Sequence, residues 1–341
     1  MDTKIIDKII NSLADDPAVD EEVCPYFSDN SYKPVKVNKE NFHSLNGGGK
    51  GRICFIDGGN AELIKSANNS LQLIRIYYTI YSGNKRISSK KIEFFVLISS
   101  EKKDGKVVYS AKFFEDILGF GELMIDPFDE TIKTGIHQAK ITTVGGIIRR
   151  FSELKVAADV VNELSANDLI VLDGLLQASV TDESAYLNNL YAKASSKGVI
   201  VSGLSKTSTL LATNGMSFVN IISSLAPKGK WYYHPVAEIN NPAHQADISF
   251  IKLNEKSRYI FRFELYKKQQ YDLNKIVSLL ENNSRDPVFI GYPYGLIEAD
   301  RFARVSNQER DYLKIILQTK LKDKWDGLNI LNAHDILDRI G

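Results

Sequence analysis

Cysteine is nearly absent from this chain: Cys24 and Cys54 are the only two in 341 residues. They fit no C-x-x-C spacing, which excludes a cysteine zinc site and a disulfide framework and suits a reducing cytoplasm. An excess of charge is missing too. The 43 lysines and arginines face 42 aspartates and glutamates, a formal net charge of +1. That excludes a wholesale basic nucleic-acid binder but leaves room for a local basic groove. No apolar run approaches the roughly 18 residues a membrane helix needs. Met1-Asp2-Thr3-Lys4 leads into no long apolar core, so no signal peptide is expected. Internal repeats and low-complexity tracts are lacking. Asn46-Gly47-Gly48-Gly49-Lys50-Gly51 lacks the G-x-x-x-x-G-K-[ST] spacing of a phosphate loop, and reads as a flexible lead into the first core strand. What remains is an ordinary soluble composition, 43% apolar and 25% charged. The expectation is a soluble cytoplasmic protein of one large domain or two modest ones.

The chain is organised around Ile53-Cys54-Phe55-Ile56-Asp57-Gly58-Gly59-Asn60. Four apolar residues closed by aspartate and two glycines read as a buried strand and a sharp turn, with Asp57 at the strand end facing a cleft. A carboxylate placed there is costly unless a cation meets it. The alternative is a turn aspartate bonded to its own backbone. Residues 71–81 and 92–98 are β-prone and suggest an antiparallel meander, whereas 100–145 carry loop signals and look like an insertion. The middle third then reads helix (152–164), strand (169–172, closed by Asp173-Gly174), helix (183–197), strand (199–201), the alternation of parallel α/β units. Further strands are expected at 248–253 and 259–265, a helix at 273–280, a last core strand at 288–291, and a helix starting near Pro293. Ile5, Ile6, Ile9, Ile10 and Leu13 give the N-terminus a helical pattern. The expected fold class is α/β, a mixed sheet flanked by helices. An N-terminal arm over 1–50, partly helical, precedes a main domain over 51–310, and a helical extension over 311–341 packs on it.

The chemistry lies in acidic positions. Asp57 and Asp173 each end a core strand, and Glu153 and Asp300 each stand among apolar neighbours at helical spacing, pointing inward. Converging carboxylates repel one another, and divalent cations relieve that repulsion. All-oxygen donors favour Mg²⁺ or Mn²⁺ over zinc. Two such ions about 3.5–4 Å apart can activate water and stabilise the leaving oxygen of a phosphodiester. Each residue also has a plainer reading: Asp173 as a turn residue, Glu153 as a first-turn carboxylate favoured by the helix dipole, Asp300 as a partner for Arg301 or Arg304. Lys206, after a core strand, could hold a scissile phosphate or be a solvated loop lysine. Arg149 and Arg150 could touch a DNA backbone or form a surface pair. Tyr232, Tyr233, Tyr292 and Tyr294 could stack on unpaired bases or belong to the core. His234 and His244 stand unpaired, with no spacing for zinc.

Phe55-Ile56-Asp57-Gly58-Gly59, Arg149-Arg150-Phe151-Ser152-Glu153, Val171-Leu172-Asp173-Gly174-Leu175, Gly203-Leu204-Ser205-Lys206 and Tyr292-Pro293-Tyr294-Gly295-Leu296-Ile297-Glu298-Ala299-Asp300-Arg301 resemble, in this order, the NurA nuclease family. The resemblance spans about residues 51–305. It implies an RNase H-like fold and a manganese-dependent nuclease with 5′-to-3′ exonuclease and single-strand endonuclease activity. It also implies a homodimer that works with a hexameric HerA-type ATPase in DNA end processing and double-strand break repair. On this resemblance Asp57, Glu153 and Asp173 correspond to metal-binding carboxylates and Tyr292 to a tyrosine near the site, while Asp300 falls where members carry histidine or aspartate. Asp57-Gly58-Gly59 departs from the Asp-Gly-Ser of many members, and 100–145 match nothing in the family. Two other classes fit parts of the pattern: an actin- or sugar-kinase-like ATPase using both Asp-Gly pairs, and a non-catalytic adaptor of a DNA-translocating ATPase.

Overall fold

A computed structural model describes residues 3–14, 22–45, 47–322, 324, 325 and 328. The arm supplies helix α1 (Thr3–Ala14) and short strands β1 (Tyr32–Pro34) and β2 (Phe42–Ser44). Strands β3 (Arg52–Lys65), β4 (Asn69–Ser82), β5 (Lys85–Lys103), β6 (Lys106–Phe113) and β7 (Leu123–Ile125) come after it. Next are α2 (Thr143–Val160), β8 (Leu169–Asp173), α3 (Glu183–Lys197), β9 (Ile200–Ser205) and α4 (Phe218–Leu225). Strands β10 (Trp231–Tyr233), β11 (Ala237–Ile239), β12 (Ala246–Lys252) and β13 (Phe261–Tyr266) precede α5 (Leu273–Asn282), α6 (Tyr294–Ala303) and α7 (Asn307–Leu321). The expected extension beyond residue 328 lies outside the described residues.

One sheet of 11 strands runs β2-β10-β12-β13-β9-β8-β3-β4-β5-β6-β7. Strands β3, β8 and β9 are parallel, and β4 and β5 are antiparallel to their neighbours. Within it, β5-β4-β3-β8-β9 stand in the order third, second, first, fourth, fifth with the second reversed, which is the RNase H-like arrangement. The meander and the parallel units are therefore where the sequence pattern places them. Residues 100–145 carry the end of β5 together with β6 and β7, so they widen this same sheet. Pairing of β1 with β11 and β2 with β10 fastens the arm to the body. Among the described residues no helix is long and apolar enough to cross a membrane.

Strand periodicity sorts the core into two layers. Successive strand side chains point to opposite faces. Ile53 and Phe55 of β3, with Leu169 and Val171 of β8 and Leu204 of β9, pack with Tyr292 and Leu296 on the α5–α6 face. Cys54, Ile56, Ile170 and Leu172 pack with Leu154 and Ala157 of α2 and Leu190 of α3 on the other. Helix α7 closes one end: the buried Arg75 of β4 bonds Glu93, Glu309 and the Arg304 carbonyl.

Three local expectations are corrected. First, β3 does not turn after Asp57 but continues to Lys65. The two glycines serve close approach instead. A Cβ on Gly58 would lie 2.6 Å from Glu153 Oε1, and one on Gly59 would lie 2.2 Å from the Ala303 carbonyl oxygen. Gly59→Ala must therefore lift the end of α6 from the strand, and overpacking of this kind costs about 1–3 kcal/mol. A urea unfolding midpoint equal to that of the parent protein would contradict this contact. Second, the helix expected from Ser152 begins at Thr143, because Gly145 is not a loop signal: its Cβ would meet Gln72 Cδ at 2.7 Å, so α2 crosses β4 closely. Glu153 is consequently in mid-helix and its helix-dipole reading falls away. Third, the last core strand is absent. Asp286 caps a short 3-10 turn at Pro287–Phe289, Val288 is exposed, and Phe289 alone turns inward to stack on Tyr292.

Candidate metal centre

The same alternation that builds the core aims the polar side chains. Asp57 follows Phe55 by two, Asp173 follows Val171 by two, and Lys206 follows Leu204 by two. All three project to the α6 face, where the sheet's apolar rows run out. Helix α6 faces them with Asp300. Asp57, Asp173 and Asp300 each offer a carboxylate oxygen, and the three oxygens lie within 4.8 Å of one another. Asp173 is carried into place by a real turn: Gly174 takes φ +120°, in the region that favours glycine, and Gly203 of β9 leaves room for its carbonyl. Asp300 stands at the mouth rather than pointing inward, its side chain 45% exposed.

Lys206 Nζ sits between two of these groups, 2.6 Å from Asp173 Oδ2 and 2.8 Å from Asp300 Oδ1. Despite partial burial, these two carboxylates hold its ammonium pKa above the ordinary lysine value. Asp57 is in no ion pair among the described residues, and the Lys206 charge only partly offsets what raises its pKa. Its Oδ1 accepts from the Gly58 N–H at 2.7 Å. Burial first, then the neighbouring Asp173 and Glu153 charges, push its carboxyl up to about 8. Tyr292 closes the floor. Its hydroxyl is buried without a hydrogen-bond partner among the described residues. Burial, with the charges of Asp173, Asp57 and Asp300, raises its pKa.

Asp57 carries a linkage consequence. Its usual value is 3.8 and its folded value about 8, so the folded metal-free protein holds a proton the unfolded chain releases. Stability contributed at low pH is thus lost as pH rises from 3.8 to about 8. Asp57→Asn is expected to melt a few degrees higher than the parent in chelator at about pH 8.5, with the gain vanishing near pH 4. Calorimetric scans across that range check it, and a lower melting temperature at the alkaline end would contradict it.

Glu153 approaches the opposite face of β3, against Gly58, and stands outside the three clustered aspartates, yet its charge acts on Asp57 and it lines one cleft with Asp173. It is buried and ion-paired with Arg149 and Arg150. Burial raises its pKa, and the two arginines oppose that shift. Arg149 also donates to the Gly58 carbonyl at 3.1 Å. Arg150 donates to Glu183 and to the Leu175 carbonyl, each at 2.7 Å. Of the two arginines read as a surface pair or DNA contact, Arg150 turns Nε, Nη1 and Nη2 into the protein, whereas Arg149 bonds inward through Nη1 and its side chain stays 32% exposed. Arg149, Arg150, Glu153, Asp173 and Glu183 line a cleft of about 480 Å³, which Asp173 shares with the aspartate cluster.

The tyrosines divide by burial. Tyr232 and Tyr233 of β10 are core residues, while Tyr294 is 38% exposed, with its ring edge on Tyr81. The unpaired histidines do find neighbours. His234 Nδ1 lies 3.1 Å from Ser249 Oγ, and His244 Nδ1 lies 2.9 Å from the Tyr32 hydroxyl. Sequence reading missed Glu264, Glu183 and Glu298. Glu298 is buried under Tyr77, Tyr81 and Arg86 and anchors α6 to β4. A carboxylate inside the apolar run Phe261–Tyr266 was the one available signal for Glu264.

These donors suit a divalent ion. The three carboxyl groups are clustered and offer oxygen donors, Asp57 is buried and in no ion pair among the described residues, and the Tyr292 hydroxyl, buried and unpaired among the same residues, feels the charge of all three.

The NurA domain family matches residues 51–305. Among solved structures, the NurA nuclease from Sulfolobus solfataricus aligns over 95% of this chain and 98% of its own length at 13% identity, with a TM-score of 0.53. At that identity the likeness is one of fold. An endonuclease V from Ciona intestinalis aligns over 78% of this chain and 87% of its own at 10% identity and a TM-score of 0.38. An Argonaute from A. aeolicus aligns over 76% of this chain and 29% of its own at 8% identity and a TM-score of 0.34. No curated protein matches the sequence.

Proposed function

The chain belongs to the NurA family, and from that premise we propose that it is a divalent-metal-dependent deoxyribonuclease that hydrolyses DNA phosphodiesters. The observation that carries this reading is the convergence of Asp57, Asp173 and Asp300 from two strands and a helix, with Lys206 beside them. Asp57, Asp173 and Asp300 would hold the ion, and their oxygen donors favour Mn²⁺ or Mg²⁺. Bound there, it would supply Lewis-acid polarisation of the phosphodiester and acidify water at neutral pH. The protein's own groups do the rest. Lys206 presents a point charge to a phosphate oxygen, and the Tyr292 hydroxyl offers a positioned donor to the same space. The Arg149–Glu153–Arg150 constellation makes the adjoining wall of the cleft. A second ion would require Glu153 to give up one of its arginines.

The finer role rests on the family resemblance. We assign the nuclease domain to 51–310, with 5′-to-3′ exonuclease and single-strand endonuclease activity. We place the protein in the cytoplasm as a homodimer, partnered by a HerA-type hexameric ATPase in DNA end processing. The ATPase reading is less well supported: Gly58 and Gly59 lie inside β3 against Glu153 and Ala303, so the first Asp-Gly pair leaves no loop around a phosphate. The adaptor reading has to explain why every carboxylate and the lysine remain assembled.

The test is incubation of the purified protein with end-labelled single- and double-stranded DNA in Mn²⁺, Mg²⁺ or chelator. Cleavage of single strands in Mn²⁺ and none in chelator is expected. Cleavage that persists in chelator would refute the metal role, and intact DNA under every metal condition would refute the activity.

A further inference from the structure

We infer that Lys206 is a built-in counter-cation that occupies the cation position between Asp173 and Asp300 and is expelled from it when a divalent ion binds, which frees its ammonium to receive a substrate phosphate. The inference rests on the metal-site reading above and adds to it an exchange between two cations.

The geometry behind it is specific. Lys206 Nζ bridges Asp173 and Asp300 at 2.6 and 2.8 Å, and those aspartates are two of the three whose oxygens cluster within 4.8 Å. A divalent ion ligated by carboxylate oxygens at about 2.0–2.1 Å would have to stand inside that same cluster. Two positive centres cannot share it without strong repulsion in a partly desolvated site. The lysine can leave. It follows Ser205, the last residue of β9, its chain runs into a segment without helix or strand, and its side chain is 37% exposed. It also has somewhere to go. Asp173 lines the 480 Å³ cleft, so an ammonium released from Asp173 stands at the edge of the space a DNA phosphate would enter. The Tyr292 ring lies 5.9 Å from Nζ and limits its swing to the open side. Among the described residues Asp57 is in no ion pair, so the exchange concerns the Asp173–Asp300 half of the cluster. Metal binding and phosphate binding become coupled through one side chain: the ion takes the oxygens, and the lysine is armed by losing them.

Mn²⁺ titration of wild-type and Lys206→Met protein by calorimetry tests the exchange. Removing a competing cation is expected to tighten Mn²⁺ binding about tenfold, although the same variant cleaves DNA more slowly. In chelator Lys206→Met is expected to melt at a lower temperature than wild type, and saturating Mn²⁺ to raise its melting temperature by more. Amine acylation of the wild-type protein, read by mass spectrometry, needs no variant at all: Lys206 is expected to label faster in Mn²⁺ than in chelator. Equal or weaker Mn²⁺ affinity in Lys206→Met, or labelling of Lys206 indifferent to Mn²⁺, would overturn the exchange. Absence of Mn²⁺ binding in the wild type would instead overturn the metal-site reading on which it rests.

Discussion

Asp57→Asn is expected to lower Mn²⁺-dependent cleavage of single-stranded DNA by about a thousandfold or more, roughly 4 kcal/mol of transition-state stabilisation. The loss is expected in chemistry and not in folding, for two reasons. Asparagine keeps the size and the acceptor for the Gly58 N–H, so β3 retains its course between Glu153 and Ala303. The carboxylate it replaces is a burden on the metal-free fold, because burial and two like charges hold its proton on up to about pH 8. A residue that weakens the resting protein and is still present invites a functional account, since fold stability alone would favour the amide. Rates with end-labelled oligonucleotides, set beside melting curves of the same preparations, separate the two effects. Near-parental cleavage by Asp57→Asn would remove Asp57 from the site.

Glu264→Ala is expected to produce the largest stability loss in the molecule, about 3–5 kcal/mol. Glu264 is fully buried on β13 and receives Arg262 at 2.6 Å and the Leu176 N–H at 2.7 Å. His244 Nε2 stands 3.1 Å away, off the axis of a regular hydrogen bond. Burial works against its charge, yet His244, Arg262 and the Leu176 N–H together hold its pKa down to about 2. The sign is the ordinary carboxylate one: the stabilisation is present above 4.5 and lost as pH falls from there toward 2. Truncation would leave the Arg262 guanidinium without its carboxylate, take away the negative charge beside His244 and release Leu176, three residues beyond Asp173. Weakened nuclease activity is therefore expected alongside the lower urea midpoint, and Glu264→Gln should recover part of both. A stability change under about 1 kcal/mol would mean that the buried network is incidental.

These two residues also mark what could and could not be read from sequence. Asp57 and Asp173 were legible because each closes an apolar run and period-two alternation fixes the face on which it emerges. The parallel α2–β8–α3–β9 order was legible for the same reason: unbroken apolar strands alternate with helical spacing. What misled was glycine, which marks a turn at Gly174 but close packing at Gly58, Gly59 and Gly145. Those meanings differ only in what approaches from another element, Glu153, Ala303 or Gln72, and no local pattern records that. Val288-Phe289-Ile290 shows the same limit, since a short apolar run cannot state whether one residue or all of them turn inward. The pairings of Glu264 and His244 were out of reach because Leu176 and Tyr32 are distant in the chain. The pairing of Glu153 with Arg149 was open to a helix reading at i, i+4, but only the fold places Gly58 beneath it.

Asp57, Asp173 and Asp300 are expected to form a divalent-cation site. Calorimetric titration of Mn²⁺ into wild-type protein and into Asp57→Asn, in buffers of different ionisation enthalpy, tests it most directly. The wild type is expected to bind Mn²⁺ saturably and to release protons on binding below about pH 8, because the ion displaces the proton held by Asp57, while Asp57→Asn should bind at least tenfold more weakly and release none from this group. Equal Mn²⁺ uptake by the two proteins, with equal proton release, would contradict the claim.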